Sequence, residues 1–231
     1  MNASVSTKAV NGHRKMNCIK IEDDDNGIPT ELLCVPTHYK DDLENVLIPY
    51  GLILDRTEAL ATQIFDDYGN EPLVCLCVLK GGYRFFADLT EKIQNKNRTS
   101  GGGKSLPMMI DFIRLKSYHN VDSVGEVQVI GGDDLSNIKN KNVLIVEDII
   151  DTGRTMVKLL QLLNSYGPKK IKVCSLLIKR TPSSNGYVPD CKLLFFLILK
   201  HLFYLVNFSC FFSCWLFYTR KICCRLRARF E

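Results

Sequence analysis

The sequence has little that would mark it for a histidine-held metal, secretion or a nucleic-acid surface. Its four histidines show no metal-ligand spacing. No apolar leader opens it: the first 31 residues are polar and include an acidic run, "IEDDDNG", so a cytoplasmic location is expected. It has no internal repeat. It also has no general basic surplus. Of 30 Lys/Arg, seven lie in the last 41 residues with one acid, and that stretch carries the whole excess behind the net charge of +5. The rest is near neutral, which argues against nucleic-acid binding.

Ten cysteines are present, five of them in the last 41 residues. Without a secretory leader, the other five (Cys18, Cys34, Cys75, Cys77 and Cys174) are expected as free thiols rather than disulfides. Cys75 and Cys77 alternate in "VCLCVLK", so both face one side of a strand and pack as small hydrophobes. Two further patterns fall short of a motif. "GGGKS" lacks the first glycine of a phosphate loop, because Arg98 stands there, and it reads as a linker. "NRT" at Asn97 fits a glycosylation sequon, which has no meaning in a cytosolic chain.

What is present is a chain of 231 residues, 46% apolar and 24% charged, enough for one α/β domain or one domain with an appendage. Residues 1 to about 35 read as a flexible or loosely packed extension. "DLENVLIPYGLILDRTEALATQIFDDYG" reads as a short apolar segment, a turn and an amphipathic helix beginning near Leu54. "EPLVCLCVLKGGYRFFADLTEKIQNK" is a buried strand, a Gly-Gly turn and a helix. "PMMIDFIRLKSY" is a strand. "HNVDSVGEVQVIGGDDL" is a mobile loop, a strand and a Gly-Gly-Asp turn. "KNVLIVEDIIDTGRTMVKLLQLLNSYG" is strand, loop and helix, with Gly167 near its C-cap. "KKIKVCSLLIKR" is another buried strand. Alternating strands and helices predict an α/β fold, a largely parallel sheet flanked by helices.

The segment "VLIVEDIIDTGRT" carries the chemistry. An apolar strand ends in Glu147 and Asp148, and Asp151-Thr152-Gly153-Arg154-Thr155 then opens a helix. In parallel sheets, ligands occupy the crevice beyond the carboxyl ends of the strands. Unpaired N–H groups at a helix start, a glycine and two threonine hydroxyls make a phosphate cradle. Acids beside a phosphate need a cation or sugar hydroxyls between them, which implies Mg²⁺ and a ribose diol. A helix N-cap would account for one acid, not for three.

"VLIVEDIIDTGRTM" resembles the phosphoribosyl diphosphate (PRPP) motif of the type I phosphoribosyltransferases. "LENVLIPYG", "CVLKGGYRFFADL", "DFIRLKSY", "VIGGDDLS" and "SLLIKRTPSSNGYVPD" extend the resemblance across about residues 36–190, to the branch of that family that takes hypoxanthine and guanine. The resemblance implies transfer of phosphoribosyl from PRPP to hypoxanthine or guanine, with release of pyrophosphate. It implies ribose and partly indirect Mg²⁺ contacts for Glu147 and Asp148, proton exchange with purine N7 for Asp151, and the 5′-phosphate for residues 151–155. Lys80 and Gly81 would meet pyrophosphate after a cis peptide at Leu79–Lys80. Ser117 and Tyr118 would belong to a lid, and Lys179 would donate to purine O6. A homo-oligomer, dimer or tetramer, is the assembly so implied.

Beyond Asp190 the resemblance stops. The family's later strands, with a purine-stacking aromatic and an aspartate and an arginine near metal and pyrophosphate, have no match in residues 191–231. There "LLFFLILKHLFYLVNFSCFFSCWLFY" shows neither strand alternation nor a polar helical face. Residues 193–218 are expected to be helical or irregular, and the tail is read as an apolar replacement for the C-terminal strands. Truncation after Asp190 is expected to improve solubility without restoring turnover. Two other readings stand beside the enzyme: a PRPP-binding chain without a base pocket, and a form anchored through 193–218. The apolar run is long enough to span a bilayer, and Cys223 and Cys224 beside it are open to acylation, although no prenylation box ends the chain. Lys200, His201 and Asn207 weigh against anchoring.

Overall fold

The computed structural model describes residues 18–22, 24–37, 43–100, 103–117, 127–129, 135–197 and 222–226. Ten strands and three α-helices are present among them: β1 Ile19–Ile21, β2 Ile28–Pro29, β3 Leu43–Pro49, α1 Tyr50–Tyr68, β4 Leu73–Leu79, α2 Tyr83–Thr99, β5 Met108–Ser117, β6 Val127–Val129, β7 Asn142–Ile150, α3 Arg154–Asn164, β8 Lys170–Arg180, β9 Cys191–Leu197 and β10 Ile222–Leu226. A seven-stranded sheet has the order β1-β9-β8-β7-β4-β5-β6. All its pairings are parallel except that of β6 with β5. The expected α/β architecture, a largely parallel sheet flanked by helices, is the one formed. A second sheet, β10-β3-β2, is antiparallel.

The central strands are apolar on both faces because helices cover both. Leu73, Cys75 and Cys77 on β4, with Leu144 and Val146 on β7, pack with Leu60 and Ile64 of α1 and Phe86, Leu89 and Ile93 of α2. The alternate residues Val74, Leu76, Val78, Val143 and Ile145 pack with Met156, Leu159 and Leu163 of α3. This two-residue alternation is the period of a strand. It puts both Cys75 and Cys77 in the core, as expected. Burial pushes each of these thiols up to about 12. None of Cys18, Cys34, Cys75, Cys77, Cys174 and Cys191 is in a disulfide. Asn97 of the sequon is occupied locally: its side chain donates to the Leu106 carbonyl (3.0 Å) and accepts from the Leu106 N–H (2.8 Å), closing the linker after α2.

Three expectations change. The first helix begins at Tyr50 rather than near Leu54, directly after β3, with Pro49 as N-cap. Residues 18–35, read as part of a loose extension, contribute β1 to the main sheet and β2 to the small one, with Ile21, Thr30 and Val35 buried. The apolar tail begins with a strand. Cys191–Leu197 lies between β8 and β1, with Lys179 opposite Phe196 and Ile19 opposite Leu194 in register. A continuous apolar run lacks alternation when both faces are covered, so its pattern alone does not separate strand from helix. Truncation after Asp190 would therefore remove an internal strand. Ile222–Leu226 likewise pairs along β3. No helix among the described residues is long and apolar enough to cross a membrane. Most of the proposed anchor, 198–218, and the Gly-Gly-Asp turn lie outside the described residues.

Candidate active site

Strand β4 leads through α2 to β5 on one side of the sheet, and β7 leads through α3 to β8 on the other. The connections diverge between β4 and β7, which is where an open parallel sheet leaves a crevice beyond its carboxyl ends. The β4–β7 register ends at Cys77–Val146, while β7 runs on beside β8 to Ile150. Glu147 and Asp148 occupy that one-sided extension.

Beyond β4, the Leu79–Lys80 peptide is cis. Lys80 is exposed, and the glycines after it sink towards β7. At Gly82 a Cβ would lie 2.8 Å from the Val78 carbonyl oxygen and 3.2 Å from that of Val146. Only glycine lets this turn rest on β7, where the same Cβ would also lie 3.7 Å from the Asp148 nitrogen. Sequence reasoning passed over Gly82, although the Gly-Gly dipeptide was the available signal. It also missed a clamp behind the turn. Arg84 pairs with buried Asp88 at 2.7 Å, and both bond the Tyr50 hydroxyl at 3.2 Å, tying the start of α2 to the start of α1.

Glu147 and Asp148 are half-buried and hold each other. The Asp148 N–H donates to Glu147 Oε1 at 3.0 Å, and the Ile149 N–H donates to Asp148 Oδ1 at 2.6 Å. Burial pushes both carboxyls above their usual range, and the neighbouring Asp148 raises Glu147 further. Such a pair gains from a nearby cation, which offsets the cost of two desolvated negative charges. Among the described residues no three His, Cys, Asp or Glu side chains converge into a metal cage. An oxygen pair without a cage suits Mg²⁺, which keeps waters and substrate oxygens around it.

Asp151 follows β7 and is exposed. Lys179, near the end of β8, reaches it with Nζ 3.5 Å from Asp151 Oδ2. Two residues that the sequence leaves 28 positions apart thus share the crevice. Lys179 alone reads as an ordinary solvated strand-end lysine; its place beside Asp151 comes from the parallel register of β7 and β8. Helix α3 starts at Arg154, and its N-cap is Gly153, at φ +79° with no side-chain cap bond. Thr152 Oγ1 accepts only a long 3.4 Å contact from the Arg154 N–H. Simple helix capping by Asp151 or Thr152 is therefore not what the turn does. The N–H groups that open a helix have no acceptor within it, and the helix dipole favours an anion there. Thr155, exposed on the first turn of α3, adds a hydroxyl at the same end. Ser117 ends β5, and Tyr118 lies outside the described residues.

The phosphoribosyl transferase domain family matches residues 50–193. Hypoxanthine-guanine phosphoribosyltransferases of Homo sapiens and Mus musculus are each 58% identical over 172 residues, covering 74% of this chain and 78% of theirs. The crystal structure of hypoxanthine-guanine phosphoribosyltransferase from Schistosoma mansoni in complex with IMP is similar, with a TM-score of 0.63 and 38% identity, covering 79% of this chain and 83% of that one. The chain belongs to the phosphoribosyltransferase family.

Proposed function

We propose that the protein is a purine-salvage phosphoribosyltransferase that converts hypoxanthine or guanine and PRPP to IMP or GMP and pyrophosphate. The observation that carries the choice of base is the Asp151–Lys179 pair. The O6 and N7 atoms of a 6-oxopurine are neighbours on one edge of the base. A lysine and a carboxylate side by side match that edge, Lys179 donating to O6 and Asp151 exchanging the proton at N7. Adenine, with an amino donor at position 6, would face Lys179 with like polarity. The similarity to hypoxanthine-guanine phosphoribosyltransferases of several mammals supports the same choice.

In this reading Asp151, Thr152, Gly153, Arg154 and Thr155 hold the 5′-phosphate, and Lys80 and Gly81 meet the pyrophosphate. Glu147 and Asp148 orient the ribose hydroxyls and would hold Mg²⁺, in part indirectly. When bound, Mg²⁺ neutralises the departing pyrophosphate. Ser117 and Tyr118 belong to the lid that keeps water from the developing oxocarbenium ion. The enzyme acts in the cytoplasm as a homo-oligomer.

The test is conversion of hypoxanthine to IMP by the purified full-length chain with PRPP and Mg²⁺, run beside adenine. Turnover of hypoxanthine but not adenine is expected. PRPP binding without turnover would favour the second reading, a PRPP-binding chain lacking a base pocket. That reading has one observation of its own: the family match ends at residue 193.

A further inference from the structure

The segment leaving β8 doubles back over the start of α3. The Asn185 N–H donates to the Thr152 carbonyl at 2.9 Å. Asn185 Oδ1 accepts from the Tyr187 N–H at 3.0 Å, and Ser184 Oγ accepts from the Gly186 N–H at 3.1 Å. Tyr187 packs against the cluster beneath α3. Asp190 Oδ2 accepts from the Val173 N–H at 2.9 Å, fastening the far end to β8. Residues 181–190 thus form a strap pinned at both ends. It lies directly on the turn: a Cβ on Gly153 would meet the Asn185 side chain and sit 2.8 Å from Tyr187 Cβ.

The strap sets a peptide orientation. A peptide unit is planar and trans, so its C=O and N–H point opposite ways. Capture of the Thr152 carbonyl by the strap turns the Gly153 N–H to the other side of the turn. The remaining N–H groups at the start of α3 follow from the left-handed Gly153. We infer that Asn185 is a positioning residue for the 5′-phosphate. Its side chain closes the local turn that holds the strap, and the strap's backbone holds the Thr152–Gly153 peptide in the anion-binding orientation. Asn185 therefore sets affinity for 5′-phosphate ligands without contacting the base or the pyrophosphate. The inference rests on residues 151–155 being the phosphate turn.

The experiment is calorimetric titration of the full chain with GMP, with ribose 5-phosphate and, separately, with Mg²⁺-pyrophosphate, alongside thermal melts. Asn185→Ala removes the acceptor, and Asn185→Ser keeps a shorter one. Gly186→Ala strains the strap at φ +79°, where a Cβ meets nothing within 4 Å. Asn185→Ala should weaken GMP binding about fivefold, the scale of one hydrogen bond, and lower the melting temperature by about 2–4 °C, with pyrophosphate affinity unchanged. Asn185→Ser should lose less, and Gly186→Ala should follow Asn185→Ala. Unchanged GMP affinity in Asn185→Ala and Gly186→Ala, or equal loss for both ligands, overturns the inference and leaves the phosphate turn standing. A wild-type chain that binds pyrophosphate but neither GMP nor ribose 5-phosphate overturns the phosphate turn and the inference together. If Asn185→Ala does not fold, Gly186→Ala decides.

Discussion

Gly153→Ala is the substitution for which the structure yields the most definite magnitude. At φ +79° an alanine sits in the left-handed region, at a cost of about 1–2 kcal/mol. The new Cβ also meets two residues of the strap, Asn185 and Tyr187. Asn185 can swing aside only by leaving the Tyr187 N–H without its partner, a loss of about 1 kcal/mol. Tyr187 Cβ, 2.8 Å from the new methyl, adjoins the backbone and cannot swing. The strap must then lift, and the Asn185–Thr152 bond goes with it, about 1 kcal/mol more. The expected loss is about 3–4 kcal/mol, within what a domain of ordinary stability survives folded. Gly167→Ala is the control. Gly167 has φ +67° and open space around its Cβ, so only the backbone cost of about 1–2 kcal/mol applies. Urea unfolding of both variants, at constant m, isolates the strap contribution as the difference between their midpoints. GMP affinity should fall more than tenfold in Gly153→Ala and stay unchanged in Gly167→Ala. Equal destabilisation by the two substitutions would refute the close approach of strap and turn.

Asp151→Asn should keep PRPP binding and slow turnover by about 10²–10⁴-fold; an unchanged rate removes Asp151 from proton transfer. Excess EDTA should abolish turnover and weaken PRPP binding, with both restored by Mg²⁺, and full activity in EDTA would count Mg²⁺ out. Because the thiolate is the reactive form and burial pushes Cys75 and Cys77 up to about 12 and Cys191 up to about 11, peptide-resolved alkylation at pH 8 should label exposed Cys34 and spare these three. Raising the pH towards 11 should bring in Cys191 before the other two, and early labelling of Cys75 would contradict the packing of β4. Truncation after Asp190 should lower the melting temperature and the solubility, whereas a cut after Leu197 keeps β9; a more soluble chain ending at Asp190 would mean that β9 is dispensable.

The parts of this molecule that sequence discloses are those where local pattern and tertiary role coincide. The runs 73–79 and 143–146 read as buried strands because each is covered on both faces and therefore apolar throughout, and 170–180 does so through its buried middle, Val173 to Ile178. The acid pair was visible because charge at the end of such a run has no packing explanation, and the turn was visible because its glycine and threonines sit at a helix mouth. Lys179 was visible only through the family resemblance, since nothing in "LLIKRTP" says that a carboxylate lies 3.5 Å away. The strap left no local trace: "SSNGY" reads as any polar turn, and its meaning depends on contacts with a glycine more than 30 positions earlier.

The tail shows the same limit from the other side. Strand β1 is three residues long, and its only strand partner among the described residues is β9, about 170 positions later. Neither segment could be assigned alone: the first is too short for periodicity, and the second is too uniformly apolar to choose between strand and helix. What decides both is the exposed edge of β8, whose unpaired N–H and C=O groups require a partner once the faces of the sheet are covered. Cys191–Leu197 follows Asp190, which the Val173 N–H has already fixed beside β8. The chain therefore enters the edge in register, Cys174 against Cys191. An apolar segment delivered to that place becomes a strand by backbone demand, whatever its side chains spell. For the same reason β9 carries no implication that the purine pocket beyond it is rebuilt, because backbone pairing fixes an edge and leaves the choice of side chains at a binding site unconstrained.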